Sequence, residues 1–491
     1  MEQLSLLDCP QEVLLKIAGF LPQNELANLC ITSWSLRNVA QPLIYSTVQI
    51  LWVREYHPPI AQALRFLRTL LERPELCNHV RSLEFDGDGH LDCDDPPEPD
   101  ETPEPPDVPV LPLDRLVKII KRTGVSQTSA DSWISKVLYF EAYTYLNVPE
   151  NHQLHTISKA QKEWADGTMA LLLALLPGLS RFSASINWSG EISTLGAVFR
   201  LSLRPTTGDP SHCSFPNLQS LKDVSIASTL ETDANLDPEN TAEALSIFYL
   251  PNIRSLSVSI DNPVHFTWPG PLPPNPAFLT SLEIHRLREC HLAPILSATK
   301  GLKWLRYNWF YRPDLDQDVS ADTVMLDTMV KAFLEVSETL EELQITAQAQ
   351  PALSQGEYEK PEVTFQESLI QLSRMSRLEK LQVPWTFLIG SGTLFTAKQI
   401  GPALPVTLHH LTLTCELMED QESENRDEAM VLALEREFES GVLSNATSLK
   451  SIYLPRSFYR RGWSQECRER LEVLESRSDV TLTFNTSQST S

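Results

Sequence analysis

The side chains able to do chemistry are scattered along the 491 residues. Eleven histidines occur, and His409-His410 is the one adjacent pair. Both fill the polar slots of Leu408-His-His-Leu-Thr-Leu413, so they read as solvated strand residues rather than metal ligands. Of the eight cysteines, no two are closer than 16 residues, which excludes a Cys-x-x-Cys metal or redox pair. Asp86, Asp88, His90 and Asp92 alternate like calcium-loop ligands, but the twelfth position holds Pro97 where such a loop needs Glu. Gly-x-x-x-x-Gly-Lys-Ser/Thr, Gly-x-Gly-x-x-Gly, Gly-x-Ser-x-Gly and His-Glu-x-x-His do not occur. The expectation is a chain that is not an enzyme and takes no cofactor. A hydrolase assembled from dispersed residues is the one catalytic reading that spacing does not test.

Charge narrows the partners. Forty basic against 64 acidic residues give −24, which repels phosphate backbones and anionic lipid. Neither a nucleic acid nor a membrane is therefore expected as partner. Glu2, Asp8, Glu12 and Lys16 stand where a signal peptide needs an apolar stretch, and the longest apolar run, Met169–Leu176, is short of a membrane span. The chain is expected in the cytoplasm, the nucleus or both. Reduced thiols fit that setting, and the Asn187 and Asn445 sequons then read as chance matches.

The elements that would position these residues fall into distinct stretches. Residues 8–40 read as three short helices. Pro10 suits a first helical position, and Val13, Leu14, Ile17 and Leu21 come after it at helical spacing. Pro22 stops that helix, Asn24 can cap a second carrying Leu26 and Leu29, and Ser33 can cap a third that ends before Pro42. Trp34 and Leu36 read as core of this unit. So few residues bury too little area to stand alone, and the unit should lean on the next domain or on a partner. Val13, Leu14, Ile17, Phe20 and Leu21 also cover more of the first helix than one small bundle can bury. Thr47–Val53 and Val80–Phe85 read as strands, with Ile60, Leu64, Leu67 and Leu71 on one face of a helix between them. From Asp86 to Asp107 lie ten carboxylates, six prolines and no Lys or Arg, a composition that predicts a disordered insertion over 86–109.

Beyond it one pattern recurs: an apolar residue, two polar ones, an apolar, any residue, an apolar. The clearest copies are Ile253–Val258, Leu279–Ile284, Leu302–Tyr307, Leu340–Ile345, Leu378–Val383, Leu408–Leu413 and Leu449–Leu454. Val80–Phe85, Leu179–Ala184 and Leu218–Val224 are weaker, and helix-compatible stretches precede several copies. Such a unit buries its spaced apolar residues between neighbours while a helix covers the outside. Strand alternation turns the intervening residues away from the core. Glu283, His285, Arg306, Asn308, Gln344 and Gln382 are thereby the candidate residues for capturing another protein. Trp309, Tyr311 and Trp385 stand beside them, as binding aromatics or as repeat core. Asp261–Pro276 and Glu416–Glu428 look like insertions between copies.

The pattern resembles the leucine-rich repeat family, over roughly residues 60–485. It departs from that family in spacing, since most copies lie further apart than 20–29 residues, and in lacking the Asn that usually comes after the strand. At the N-terminus, Cys9-Pro10-Gln-Glu12-Val-Leu14-Leu-Lys-Ile17, then Leu21, Leu26, Leu29, Trp34 and Leu36, resembles the F-box, with Cys9 where that family prefers Leu. Together the resemblances imply an α/β chain: a three-helix F-box with its exit segment at 1–57, an irregular repeat solenoid with parallel strands at 58–485, and a disordered tail at 486–491. They imply a substrate-recognition subunit of a cullin–RING ubiquitin ligase, with the ligase adaptor, cullin through it, and a protein substrate as partners. Pro10, Leu14, Ile17, Leu21, Leu26 and Leu29 would then form the adaptor surface. Two other readings stay open: a helical cap that merely seals the first repeat, and a repeat scaffold unrelated to ubiquitin.

Overall fold

The computed structural model describes residues 9–54, 58–87, 109–138, 153–201, 218–227, 240–352, 359–389, 400–417, 426–440, 448–455 and 463–484. Most of the acidic stretch read as an insertion, and the tail at 486–491, lie outside the described residues. The fold is mixed α/β and divides into two compact units, Met1–Glu231 with Ala242–Ile253, and Thr232–Thr241 with Arg254–Ser491.

The first unit opens with α1 (Gln11–Ala18), α2 (Gln23–Thr32) and α3 (Trp34–Ile44). Pro10 stands one residue earlier than expected, as the cap of α1, where its carbonyl accepts from Val13 and Leu14 N–H. Asn24 does not cap α2. Pro22 holds the extended cap conformation, its carbonyl accepts from Leu26 N–H, and Asn24 falls inside the first turn. Ser33 caps α3 as expected, accepting from Leu36 N–H at 3.1 Å. That helix runs through Pro42 instead of ending before it. A proline so near the end removes one hydrogen bond, and Tyr45 N–H still reaches the Gln41 carbonyl.

Helix α3 feeds directly into β1 (Thr47–Leu51), which pairs in parallel with β2 (Ser82–Asp86). The Ser46 carbonyl at the junction accepts from both Arg81 and Ser82 N–H. The amphipathic helix α4 (Ile60–Glu72) makes the crossover that parallel strands need, and buries Ile60, Leu64, Leu67 and Leu71. Strands β3 (Arg181–Ala184) and β4 (Asp223–Ile226) continue the parallel order, placing Ile50, Phe85, Ala184 and Ile226 on one buried rung. Helices Leu113–Arg122, Gln127–Leu138 and Gln153–Leu175, which no sequence pattern singled out in full, join β2 to β3. They are held partly by a buried charge cluster. Lys136 Nζ lies 2.9 Å from Asp166 and 2.8 Å from Glu191, and Asp166 accepts Thr194 and Leu195 N–H at a helix start.

The second unit holds β5 (Ser255–Ser259), β6 (Ser281–His285), β7 (Trp304–Tyr311), β8 (Thr323–Met325), β9 (Glu342–Ala349), β10 (Thr364–Gln366), β11 (Lys380–Pro384), β12 (His410–Thr414), β13 (Ser451–Leu454) and β14 (Thr481–Phe484). β8 and β10 form a small separate pair. The others run parallel in the order β5-β6-β7-β9-β11-β12-β13-β14. Each clear copy of the sequence pattern is one of these strands. Their fourth positions pair across every neighbour: Leu256, Leu282, Leu305, Leu343, Leu381, Leu411, Ile452 and then Leu482. Among the described residues, no helix is long and apolar enough to cross a membrane.

Candidate functional site

The polar positions of the pattern form two rungs on one face of the second unit. Glu283, Arg306, Gln344 and Gln382 pair in succession across β6, β7, β9 and β11, and His285, Asn308 and Thr346 pair on the rung above. All are half-buried rather than core. Pro384 differs from this pattern and is buried, as are Trp309 and Trp385. These two tryptophans therefore belong to the core of the second unit; Trp309 Nε1 donates inward to Glu289 at 3.1 Å. Tyr311 stays half-buried.

Ion pairs order the face. Arg306 lies 3.2 Å and His285 3.3 Å from the Glu283 carboxylate. Burial pushes the Glu283 carboxyl up, but His285 and Arg306 outweigh it and hold it below the usual range. Burial acts likewise on Glu342, and hydrogen bonds from Gln344, Lys380 and Trp304 bring it down. His410 Nδ1 lies 2.7 Å from Ser451 Oγ, while His409 is 3.9 Å from Glu379. Among the described residues no group of three metal-ligating side chains comes together.

Just past the strand ends lies a buried network that the sequence did not signal. Arg286, at φ +70°, pairs with Asp261 at 2.7 Å and Asp316 at 3.0 Å. Arg288 pairs with Glu289, donates to the Ala321 and Thr323 carbonyls, and lies 4.6 Å over the Trp309 ring. These groups satisfy one another. Their work is to tie the loops after β5, β6 and β7 to the strands carrying Glu283, Arg306 and Asn308.

The three N-terminal helices present a different surface. Their core is Leu14, Ala18, Leu26, Val39 and Ala40, with Cys9, Leu15, Leu21, Leu29, Cys30, Leu36, Leu43 and Ile44 packed around it. Too few residues are present to cover every apolar group, and large ones stay in solvent: Ile17 at 44%, Trp34 at 73%, Ile31 at 84% and Phe20 at 89% exposed. Ile31 and Trp34 border an open depression of about 620 Å³, walled also by Arg37, Ile44, Tyr45 and Arg73. A small helical unit with more apolar surface than it can bury is built to be covered.

Residues 6–44 match the F-box domain. F-box domains are typical of the substrate receptors of ubiquitin ligases, and generally bind the ligase adaptor and, through it, cullin. No curated protein matches the chain.

Within the F-box the structure redistributes the expected surface. Pro10 and Ile17 are exposed, whereas Leu14 and Leu26, each 6% exposed, are core. Leu21 and Leu29 are half-buried against that core. Trp34, read as core, is instead outside, because it is the first residue of α3 and the inward stripe of that helix begins at Leu36. Helical spacing shows which residues share a face. It does not show which face the neighbouring helices take, and that choice separates Leu14 from Ile17.

Proposed function

We propose that this chain is a substrate-recognition subunit of a cullin–RING ubiquitin ligase, with the F-box docked on the adaptor and leucine-rich repeats capturing the substrate protein. The observation that carries the reading is the F-box match over three helices whose own core leaves Phe20, Ile31 and Trp34 in solvent. The repeat reading is supported by seven parallel strands whose fourth positions stay in one register, which Leu482 of β14 continues, several of them preceded by a helix or helical turn. A register-matched parallel stack is how repeats bury a continuous core. On this reading the chain does no chemistry. It raises the effective concentration of a substrate lysine at the charged enzyme. Its working place is the cytoplasm, the nucleus or both. The test is capture of the full-length chain by purified adaptor. Capture that Ile17→Glu and Trp34→Ala each reduce supports the receptor; no capture of the wild-type chain leaves a repeat scaffold unrelated to ubiquitin.

A further inference from the structure

Strand β14 is the last of the parallel order, and among the described residues no strand pairs on its other side. Its inner side is taken, since Thr481 N–H donates to the Lys450 carbonyl at 2.9 Å, in register with β13. Backbone groups alternate along a strand, so the N–H and carbonyl of Leu482 point to the free side. The sequence there is Val480-Thr-Leu-Thr-Phe484, β-branched and apolar residues without a charge, a proline or a glycine. Thr481 and Thr483 are exposed, and Leu482 and Phe484 are half-buried. Phe484 packs 5.4 Å from the Trp463 ring, which holds the strand in place. An uncharged edge of this composition is a template for another strand. Neither a lysine nor a proline stands in it to prevent that.

Two side chains from the residues just before the strand cover the edge instead. Glu475 Oε1 accepts from Leu482 N–H at 3.3 Å. Ser478 Oγ accepts from the N–H of Val480 and donates to its carbonyl, both at 3.4 Å. Val480 alternates with Thr481 as Leu482 does, so these groups face the same free side. Glu475 is poorly placed for its own helix. It stands in the last turn of Gln465–Ser476, where no basic residue occurs, and a carboxylate at that end opposes the helix dipole. Glu472, one turn earlier, is exposed. The helix thus gains nothing from an acid at 475, while the strand uses it.

We propose that Glu475, assisted by Ser478, is an edge guard that keeps a second copy of this chain from adding to β14. The strand it excludes is β14 of that copy. Two identical free edges meet about a two-fold axis, which sets them antiparallel, and each Leu482 would offer one donor and one acceptor to the other. The inference stands apart from the ligase reading, because it rests on one strand and the residues leading into it.

The experiment is sedimentation velocity of the full-length wild type and its variants over a range of concentrations. Glu475→Ala should self-associate tenfold or more tightly than wild type. Glu475→Gln, whose amide oxygen still accepts, should stay within about threefold of wild type. Glu472→Ala, the same loss of charge on the same helix, should behave as wild type. Leu482→Pro added to Glu475→Ala removes the outward N–H and spares the bonds to β13, so it should return the chain to the wild-type state. Hydrogen exchange at the Leu482 amide should be faster in monomeric Glu475→Ala than in wild type. A Glu475→Ala chain no more associated than wild type overturns the guard. Equal association of Glu472→Ala does so too, by assigning the effect to charge. Glu475→Gln associating as strongly as Glu475→Ala shows that an acceptor is not what closes the edge. Association that Leu482→Pro leaves unchanged traces to unfolding elsewhere, and also overturns the proposal.

Discussion

Ile17 and Leu14 lie three residues apart on one helix, yet a substitution at each should report a different quantity. Leu14 is packed into the F-box core. Leu14→Ala should therefore cost about 2–5 kcal/mol of stability, seen as loss of helical circular dichroism in a fragment covering the first unit. Trp34 touches solvent over most of its surface. Trp34→Ala should leave the fold within about 0.5 kcal/mol while lowering adaptor affinity by roughly 2 kcal/mol, about thirtyfold. Glu416 offers a test of the opposite kind. Burial raises its carboxyl above the ordinary value of 4.5, and Thr414 and Arg306 offset only part of that. A carboxyl raised on folding contributes stability at low pH that is lost as pH rises through the raised value. Glu416→Gln should therefore melt higher than wild type at pH 7, and the two should converge as pH falls below 4.5. A lower melting temperature for the variant at pH 7 would mean that the carboxylate is satisfied in solution.

At the scale of elements, the register of the strands and the loops past their ends do separate jobs. The ladder of fourth positions is fully apolar, and Leu343 lies within it, buried. Leu343→Ala should cost about 2–5 kcal/mol by denaturant titration, since neighbours on both sides lose contact at once. The loop network answers to electrostatics instead. Arg288→Met removes the cation from buried Glu289 and the donors from two carbonyls. That should cost about 3–5 kcal/mol, and adding Glu289→Gln should restore part of it, because the unpaired charge is most of the penalty. Additive losses in the double variant would show that packing against Trp309 matters more than the ion pair.

At the scale of the whole molecule, −24 spread over 491 residues predicts how the two kinds of contact respond to salt. The general attraction of basic peptides to this acidic chain should weaken steadily between 50 and 500 mM salt, as the reach of the field falls from about 14 to about 4 Å. Adaptor capture, which would cover Phe20, Ile31 and Trp34, should change little over the same range, because burial of apolar surface is not screened. Isothermal titrations at matched temperature check both. A steep salt dependence of adaptor capture would move that contact from the apolar side chains to Arg37 and Arg73.

What the amino-acid order settles by itself is periodic. The spacing of Leu14 from Ile17 and the six-residue pattern from Ile253 to Leu454 mark helices and strands, because backbone geometry repeats at 3.6 and 2 residues wherever the chain goes. Ser33 as a cap and the polar alternation of Glu283 and His285 are legible for the same local reason. What only the tertiary structure decided is which side of each period faces inward and which distant groups meet. Packing of α1 against α3 buries Leu14 and leaves Ile17 and Trp34 outside. The tie between Arg286, Asp261 and Asp316 joins residues 25 to 55 positions apart in the chain. No period links such residues; only the crossovers that bring parallel strands side by side do.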